Sequence, residues 1–428
     1  MLGGRSAAVA WQADVIKPSL QEVMKQLAES DPLPPVPSTG WEEVTILAVN
    51  MSPTPGEFVA GIADVNLPLA ARCAASPGVW VEQPLLSEIQ SKLSDRQQNE
   101  EADLRARLAS GLALGYLGDA RFGIIEGQYG SYLLPELVLV PAGTYTIGND
   151  TSIYDEEKPQ FRVHIESFLI ATHPLTNREF SQFVTNGGYE DESWWISDAA
   201  KAWKRGGVSE GPKQQWRDQR NLLISNSRVI SQLLHGNRIT SEQAQSFEKM
   251  TAMSDDEFEG YLEELYPPVT HYTSPDYWLD VAFNNPSQPV VGISWFEALA
   301  YCAWLSAQTG QNYRLPTEVE WEIAAKGNHN VSYPYGNEFD PLKTNTYESH
   351  IRRTNPIGVF IKDMSPFGCS EMSGNVLEWT SSAYQTYPYQ ANDGRENTNI
   401  ENDRILRGGS WYHTFICTVN LLRGQSEV

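Results

Sequence analysis

The chain has 428 residues, 41% of them apolar, enough for two or three domains on the guide of ~100–200 residues each. Asp and Glu outnumber Lys and Arg by 54 to 31, a formal charge of −23. That field opposes extended contact with nucleic acid or an anionic membrane, because both need a basic footprint. No run approaches the ~20 apolar residues of a membrane-spanning helix, and Met1 to Leu20, with Asp14 and Lys17, lacks the apolar stretch of a secretory leader.

Residues 1–130 are expected to be helical and repeat-like. Glu42 to Val49, Asn66 to Ala75, Leu85 to Leu93 and Glu101 to Leu117 carry apolar residues at helical spacing, and Gly118-Asp119 stops the last. At Leu134 the character changes. Pro135-Glu-Leu-Val-Leu-Val-Pro-Ala-Gly143 and then Thr144-Tyr-Thr-Ile-Gly148 read as two short strands around a Pro-Ala-Gly turn. Capping boxes then open helices at Thr176/Glu179, Ser294/Glu297 and Thr317/Glu320. Between them, Gln214 to His235 and Ser241 to Leu265 read as amphipathic helices, so residues 209–268 are expected to be a helical insertion in a second domain spanning 134–428. Beyond Gly327 the chain is loop-rich and aromatic. The predicted class is α+β. Its four cysteines (Cys73, Cys302, Cys369, Cys417) are far apart and include no C-x-x-C pair, which suits a reducing, cytoplasmic setting.

Ordered motifs in the second domain carry a resemblance. Leu139-Val-Pro-Ala-Gly143, His173-Pro-Leu-Thr-Asn-Arg-Glu-Phe180, Pro289-Val-Val-Gly-Ile-Ser-Trp295, Tyr313-Arg-Leu-Pro-Thr-Glu318, Tyr333-Pro-Tyr-Gly-Asn337, Met372-Ser-Gly-Asn-Val-Leu-Glu-Trp379 and Leu406-Arg-Gly-Gly-Ser-Trp411 occur in sequence. Together they resemble the formylglycine-generating-enzyme (sulfatase-modifying factor) domain, a variant of the C-type lectin fold. Residues 70–119 are similar to the helical repeats that follow the nucleotide-binding module of bacterial signalling ATPases. No G-x-x-x-x-G-K-[ST] loop occurs in the chain, so that likeness implies a remnant or a partner of such an ATPase.

The resemblance implies a calcium site at Glu371, Gly374, Val376 and Glu378, since carboxylates and backbone oxygens suit a hard cation. The alternative is a loop closed by hydrogen bonds alone. Arg314 is expected to pair with Glu320 or Glu322 as a structural ion pair.

The family's oxidases hold copper(I) on two thiolates just after the Gly-Gly-Ser-aromatic corner. Here those positions are His413 and Thr418, with Cys417 one residue off, so copper is not expected and Cys417 is a weak catalytic candidate. The iron-binding His-x-x-x-His-x-Glu helix of the related sulfoxide synthases is absent too. In retroelement-diversified variable proteins the same corner is followed by hypervariable contact residues. Trp411, Tyr412, His413, Thr414, Phe415, Ile416, Thr418, Val419 and Asn420 resemble such a patch, mixing aromatic anchors with adaptable polar groups. The expected function is non-catalytic recognition of a protein or peptide, within a bacterial signalling or defence system. The alternative is a divergent oxidase acting on a cysteine-containing peptide.

Overall fold

A computed structural model describes residues 16–152, 154–206, 210–226, 228–266, 271–398, 403–415 and 424–426. The first part is helical. A short α1 (Leu20–Met24) precedes α2 (Glu42–Asn50), α3 (Pro55–Ala63), α4 (Leu67–Ala74), α5 (Gln83–Gln97) and α6 (Leu104–Leu117). Local chemistry sets the ends. The Asn66 side chain accepts the Leu69 N–H at 3.1 Å to cap α4, and Gly118, at φ +100°, ends α6 where the sequence predicts a stop. Val49, Val59, Leu67, Ala70, Ile89, Leu93 and Leu114 form the shared core of this layer. Helix α3 escapes the sequence reading because Pro55-Gly56 looks like a turn, whereas Pro belongs equally well to a first helical turn.

The expectation of helix through residue 130 is corrected. Strand β1 (Ile124–Gly127) pairs antiparallel with β2 (Gly130–Leu133). Strands β3 (Leu137–Val140) and β4 (Gly143–Ile147) flank the Pro-Ala corner but do not pair with each other; β3 takes β6 (Phe168–Ala171) and β4 takes β5 (Phe161–Ile165). Helices α7 (Asn177–Thr185), α13 (Trp295–Thr309) and α14 (Glu318–Lys326) each begin at a complete capping box, on Thr176, Ser294 and Thr317. Phe180, Phe183, Trp195, Trp295, Tyr301 and Trp304 pack between them as an aromatic core.

After α8 (Asp198–Lys204), four helices surround a core of their own: α9 (Glu210–Ser225), α10 (Val229–His235), α11 (Ser241–Ala252) and α12 (Asp255–Leu265). Leu223, Ile230, Met250, Phe258 and Leu262 fill that core. Each of the two helices expected from sequence is therefore a pair. The second breaks where Ser254 caps a new start, its side chain accepting the Glu257 N–H at 3.3 Å. Strands β7 (Glu378–Ala383), β8 (Arg404–Arg407) and β9 (Gly424–Ser426) form an antiparallel sheet in that order. The helical layer docks on this part of the chain: Gln97 donates to the Ile357 carbonyl at 2.8 Å, Asn285 to the Leu112 carbonyl at 3.0 Å, and Leu104 packs on Val359 and Phe360. Among the described residues no helix is long and apolar enough to cross a membrane.

A buried charge network ties β8 to α14. Arg407 Nη2 lies 3.1 Å from Glu322 Oε2 and 3.5 Å from Glu318 Oε2, and donates to the Tyr387 hydroxyl oxygen at 2.8 Å. Arg395 meets Glu318 Oε1, and Lys326 meets Glu322 Oε1, both at 2.8 Å. Burial pushes the Glu322 carboxyl up in pKa, but Lys326 and Arg407 outweigh it and hold the group below its usual range. The expected Arg314 pair forms with Glu320, at 2.7 Å.

Arg407→Ala removes a buried cation shared by Glu318 and Glu322, leaving each with one partner, and is expected to cost about 3–5 kcal/mol in denaturant unfolding. The quadruple change Arg407→Met, Glu318→Gln, Glu322→Gln and Lys326→Met removes these charges together, leaves Arg395 its Asp393 partner at 2.6 Å, and is expected to cost less. A single change no worse than the quadruple would show that the pairing does not stabilise β8.

Candidate functional site

The corner after β8 turns on Gly408 and Gly409, at φ +96° and +76°. A Cβ on Gly408 would lie 3.3 Å from the Trp321 ring, so both backbone conformation and space favour glycine. The Ser410 hydroxyl then organises the next three residues. It accepts the Tyr412 N–H at 3.3 Å and shares a 2.8 Å hydrogen bond with His413 Nδ1, while the His413 N–H donates to the Ser410 carbonyl at 3.0 Å. Burial lowers the His413 pKa, favouring neutral imidazole.

The sequence reading places residues 411–420 on an outward surface, and the structure sorts those it describes. Tyr412 is exposed, while Trp411, His413 and Phe415 are half-buried. Thr414 is buried, a correction with a clear cause: its hydroxyl donates to the Asn237 carbonyl, between α10 and α11, at 2.8 Å. Phe415 stacks on Phe339 at 4.9 Å, and its N–H donates to Glu348 at 3.1 Å. Ile416, Cys417, Thr418, Val419 and Asn420 lie outside the described residues.

A neighbouring loop escapes the sequence reading. Leu279 is 87% exposed and Val281 83%, with Tyr277 also exposed. Phe283 packs against the Trp411 ring at 5.8 Å and the Tyr277 ring at 5.5 Å, so the loop and the corner make one apolar surface. The signal in the sequence is Tyr277-Trp-Leu-Asp-Val-Ala-Phe283, an apolar run between turn-forming residues with no helical period. Beside it is a cavity of about 910 Å³ whose walls include Leu139, Ile170, Leu175, Ile293, Tyr301 and Leu377, and which shares Ser410 and Trp411 with the corner.

Behind the corner lies the loop expected to hold calcium. Gly374, at φ +130°, cannot carry a Cβ, which would fall 2.5 Å from the Asn345 carbonyl oxygen. Asn375 joins the loop to its surroundings. Its Oδ1 accepts the Asn355 N–H at 2.9 Å, its Nδ2 donates to Glu371 Oε2 at 2.6 Å, and its carbonyl accepts the Trp411 N–H at 3.2 Å. Glu371 Oε1 accepts from the Gly358 N–H at 3.0 Å and from Asn355 Nδ2 at 3.2 Å. The Gly374 carbonyl accepts the Val376 N–H at 2.8 Å. N–H donors occupy both oxygens of Glu371, as the hydrogen-bonded alternative expects, whereas Glu378 Oε1 is buried without a partner. Burial pushes the carboxyl pKa up, to about 7 for Glu371 and about 8 for Glu378.

A lectin-like α+β domain, built from small sheets around capped helices and closed by an Arg-Gly-Gly-Ser-Trp corner, is the class of fold defined here. The chain belongs to the sulfatase-modifying factor enzyme 1-like domain family, which it matches over residues 126–427. It is similar to hercynine oxygenase of Mycolicibacterium smegmatis, 28% identical over 290 residues, covering 64% of this chain and 54% of that protein. It is also similar to mouse inactive C-alpha-formylglycine-generating enzyme 2, 27% identical over 308 residues, covering 67% of this chain and 78% of that one. Bovine formylglycine-generating enzyme is 27% identical over 298 residues, covering 64% and 66%. The chain thus spans about half the length of the mycobacterial oxygenase. Among solved structures it matches Treponema denticola variable protein 1 with a TM-score of 0.41 at 15% identity, covering 72% of this chain and 93% of that one.

The raised carboxyls predict a pH dependence. A carboxyl whose pKa is higher folded than unfolded stabilises the fold in its protonated form, so its contribution is present below the ordinary value of 4.5 and is lost as pH rises through about 7 to about 8. Melting temperature is expected to fall across that window, and Glu378→Gln to flatten the fall. Millimolar calcium at the alkaline end is expected to leave the melting temperature unchanged. A calcium-dependent rise abolished by Glu378→Gln would instead establish a cation site.

Proposed function

We propose that this chain recognises a protein or peptide ligand at the 408–415 corner and the adjoining 277–283 loop, without oxidising it. The observation that carries the proposal is the chemistry of the corner. His413, where the oxidases place their first thiolate, is hydrogen-bonded to Ser410, and Thr418 takes the position of the second. Neither is the soft sulfur ligand that copper(I) prefers. The surface beside them is suited to association: exposed Leu279, Val281 and Tyr412, with the Trp411 and Phe283 rings packed beneath. A family relative named as an inactive formylglycine-generating enzyme supports a non-catalytic use of this domain.

Ile416, Thr418, Val419 and Asn420 extend the proposed contact surface beyond the described corner. Diversification of these positions by a retroelement, a cytoplasmic setting and a signalling-ATPase partner complete the proposal, each resting on sequence resemblance.

Two assays test it. A cysteine-containing peptide incubated with the protein, copper(I) and oxygen is expected to yield no aldehyde; turnover lost on Cys417→Ala would overturn the reading in favour of a divergent oxidase. Peptides selected from a random display library on the full chain are expected to lose about tenfold in affinity, ~1.4 kcal/mol, on Tyr412→Ala or Leu279→Ala. Trp80→Ala, an exposed control in the helical layer, is expected to leave them unchanged. Selected peptides indifferent to both corner and loop changes would count against this surface.

A further inference from the structure

Strands β3 and β6 are apolar at every position, Leu137-Val-Leu-Val140 against Phe168-Leu-Ile-Ala171. Runs of that kind belong to strands covered on both faces. Here one face is covered. Val140 lies in the core that α14 supplies with Trp321 and Ile323, and Val138, Phe168 and Ile170 pack against it. On the other face the cross-strand partners Leu139 and Leu169 are 57% and 59% exposed. The sheet has these two strands alone, so among the described residues neither outer edge is paired.

The register shows which peptide groups are open. The Thr172 N–H donates to the Glu136 carbonyl at 2.9 Å. Bonded pairs alternate along an antiparallel ladder. With Val138 opposite Ile170 and Leu139 opposite Leu169, the peptide groups of Leu169 and Ala171 therefore point away from β3. Nothing blunts that edge: β6 carries no charge, proline or bulge, the usual guards of an exposed strand.

The cavity beside the corner runs along the same edge. Strand β3 gives its wall only alternate residues, Leu137 and Leu139, as a strand seen from its face does; β6 gives every residue from Ser167 to Ala171, as a strand seen along its edge does. Leu175, Ile293, Leu315, Leu377 and Trp379 complete the apolar lining, all half-buried, so each keeps surface that an occupant can cover. An apolar small molecule would cover these walls but leave the peptide groups of β6 unmet. A folded second copy meets those groups only by bringing a sheet edge into a space of about 910 Å³. A single extended chain meets both demands, with backbone bonds along β6 and alternate apolar side chains against the walls.

We infer that the cavity is a docking groove for an extended apolar segment of a partner protein, which adds as a strand to the free edge of β6. That the ligand is a protein or peptide rests on the reading proposed above; the groove shares Ser410 and Trp411 with that corner and specifies the form the ligand takes.

Linear peptides selected from a random display library on the full chain are the probe. Methylating their backbone nitrogens one at a time is expected to alternate in effect, every second site losing at least about tenfold in affinity and the intervening sites little. Leu169→Pro removes an N–H that the β3 ladder does not use and is expected to cost at least about tenfold, whereas Leu169→Ala, which keeps that N–H, costs less. A methylation profile without a period of two overturns the inference, and so does a Leu169→Pro no worse than Leu169→Ala. The methylation scan uses the unaltered chain, so it decides the matter should the proline variant not fold. Peptides that fail on Tyr412→Ala but show no alternation overturn the strand and leave the corner reading intact. Peptides that alternate, fail on Leu169→Pro and ignore both Tyr412→Ala and Leu279→Ala keep the groove and remove the corner. Concentration-dependent dimerisation lost on Leu169→Pro, with no peptide selected, assigns the edge to a second copy and overturns the inference.

Discussion

The buried Arg407 guanidinium is the constraint on which the corner depends. It lies at the end of β8, immediately before the glycine pair, and is fixed by Glu318 and Glu322 from α14 and by the Tyr387 hydroxyl. Glu322 also accepts the Gly148 N–H at 2.8 Å, bringing the end of β4 into the same network. One helix face thereby sets the relative positions of β4, β8 and the turn that follows. Charges buried this deeply are expensive in isolation, so the arrangement holds only as a complete set. The chain meets that condition with a second guanidinium, Arg395, on Glu318 and an ammonium, Lys326, on Glu322.

From that anchor the corner is assembled by backbone hydrogen bonds together with the Ser410 and Thr414 hydroxyls. The Trp411 N–H reaches the Asn375 carbonyl, the Tyr347 N–H reaches the His413 carbonyl, and the Phe415 carbonyl receives the Tyr333 hydroxyl. Peptide groups make two of these three bonds, and the Ser410 hydroxyl holds the His413 ring, so Tyr412 is the side chain this corner leaves exposed. A scaffold of this kind can change what it displays without changing how it stands. The loop behind it works by the same logic: Asn375 bridges Asn345, Asn355, Glu371 and Trp411, and Gly374 passes too close to Asn345 to admit any other residue.

Much of this was legible in the sequence, for physical reasons that also mark its limits. The capping boxes at Thr176, Ser294 and Thr317 are local chemistry, written within four residues, and all three helices begin where the boxes place them. The ordered motifs identified the family and the lectin-like fold, and the domain match over residues 126–427 agrees. The β1–β2 hairpin was missed because a four-residue strand such as Ile124–Gly127 is too short to show an alternation. The burial of Thr414 was invisible because its partner, Asn237, is distant in sequence, in the connection between α10 and α11. The orphan oxygen of Glu179 was hidden behind a correct reading. The capping box explains one of its two oxygens, and only the packing of α13 beside α7 reveals that the other has none.

The cavity and the corner follow from a single division of labour. The helices that build the aromatic core use their first turns as hydrogen-bonding ends, and α7 presents one such end to the space beneath the corner. A cap normally resolves the electrostatics of a helix start by aiming its carboxylate at unpaired N–H groups. In α7 that settlement is partial, because the helix needs one carboxylate oxygen and the residue brings two. In an exposed helix the surplus oxygen would face water, as the surface box at Ser254 allows. Here it is buried without a hydrogen bond, on a residue 1% exposed. An unpaired acceptor buried in an apolar core therefore arises from ordinary helix capping placed deep inside a domain.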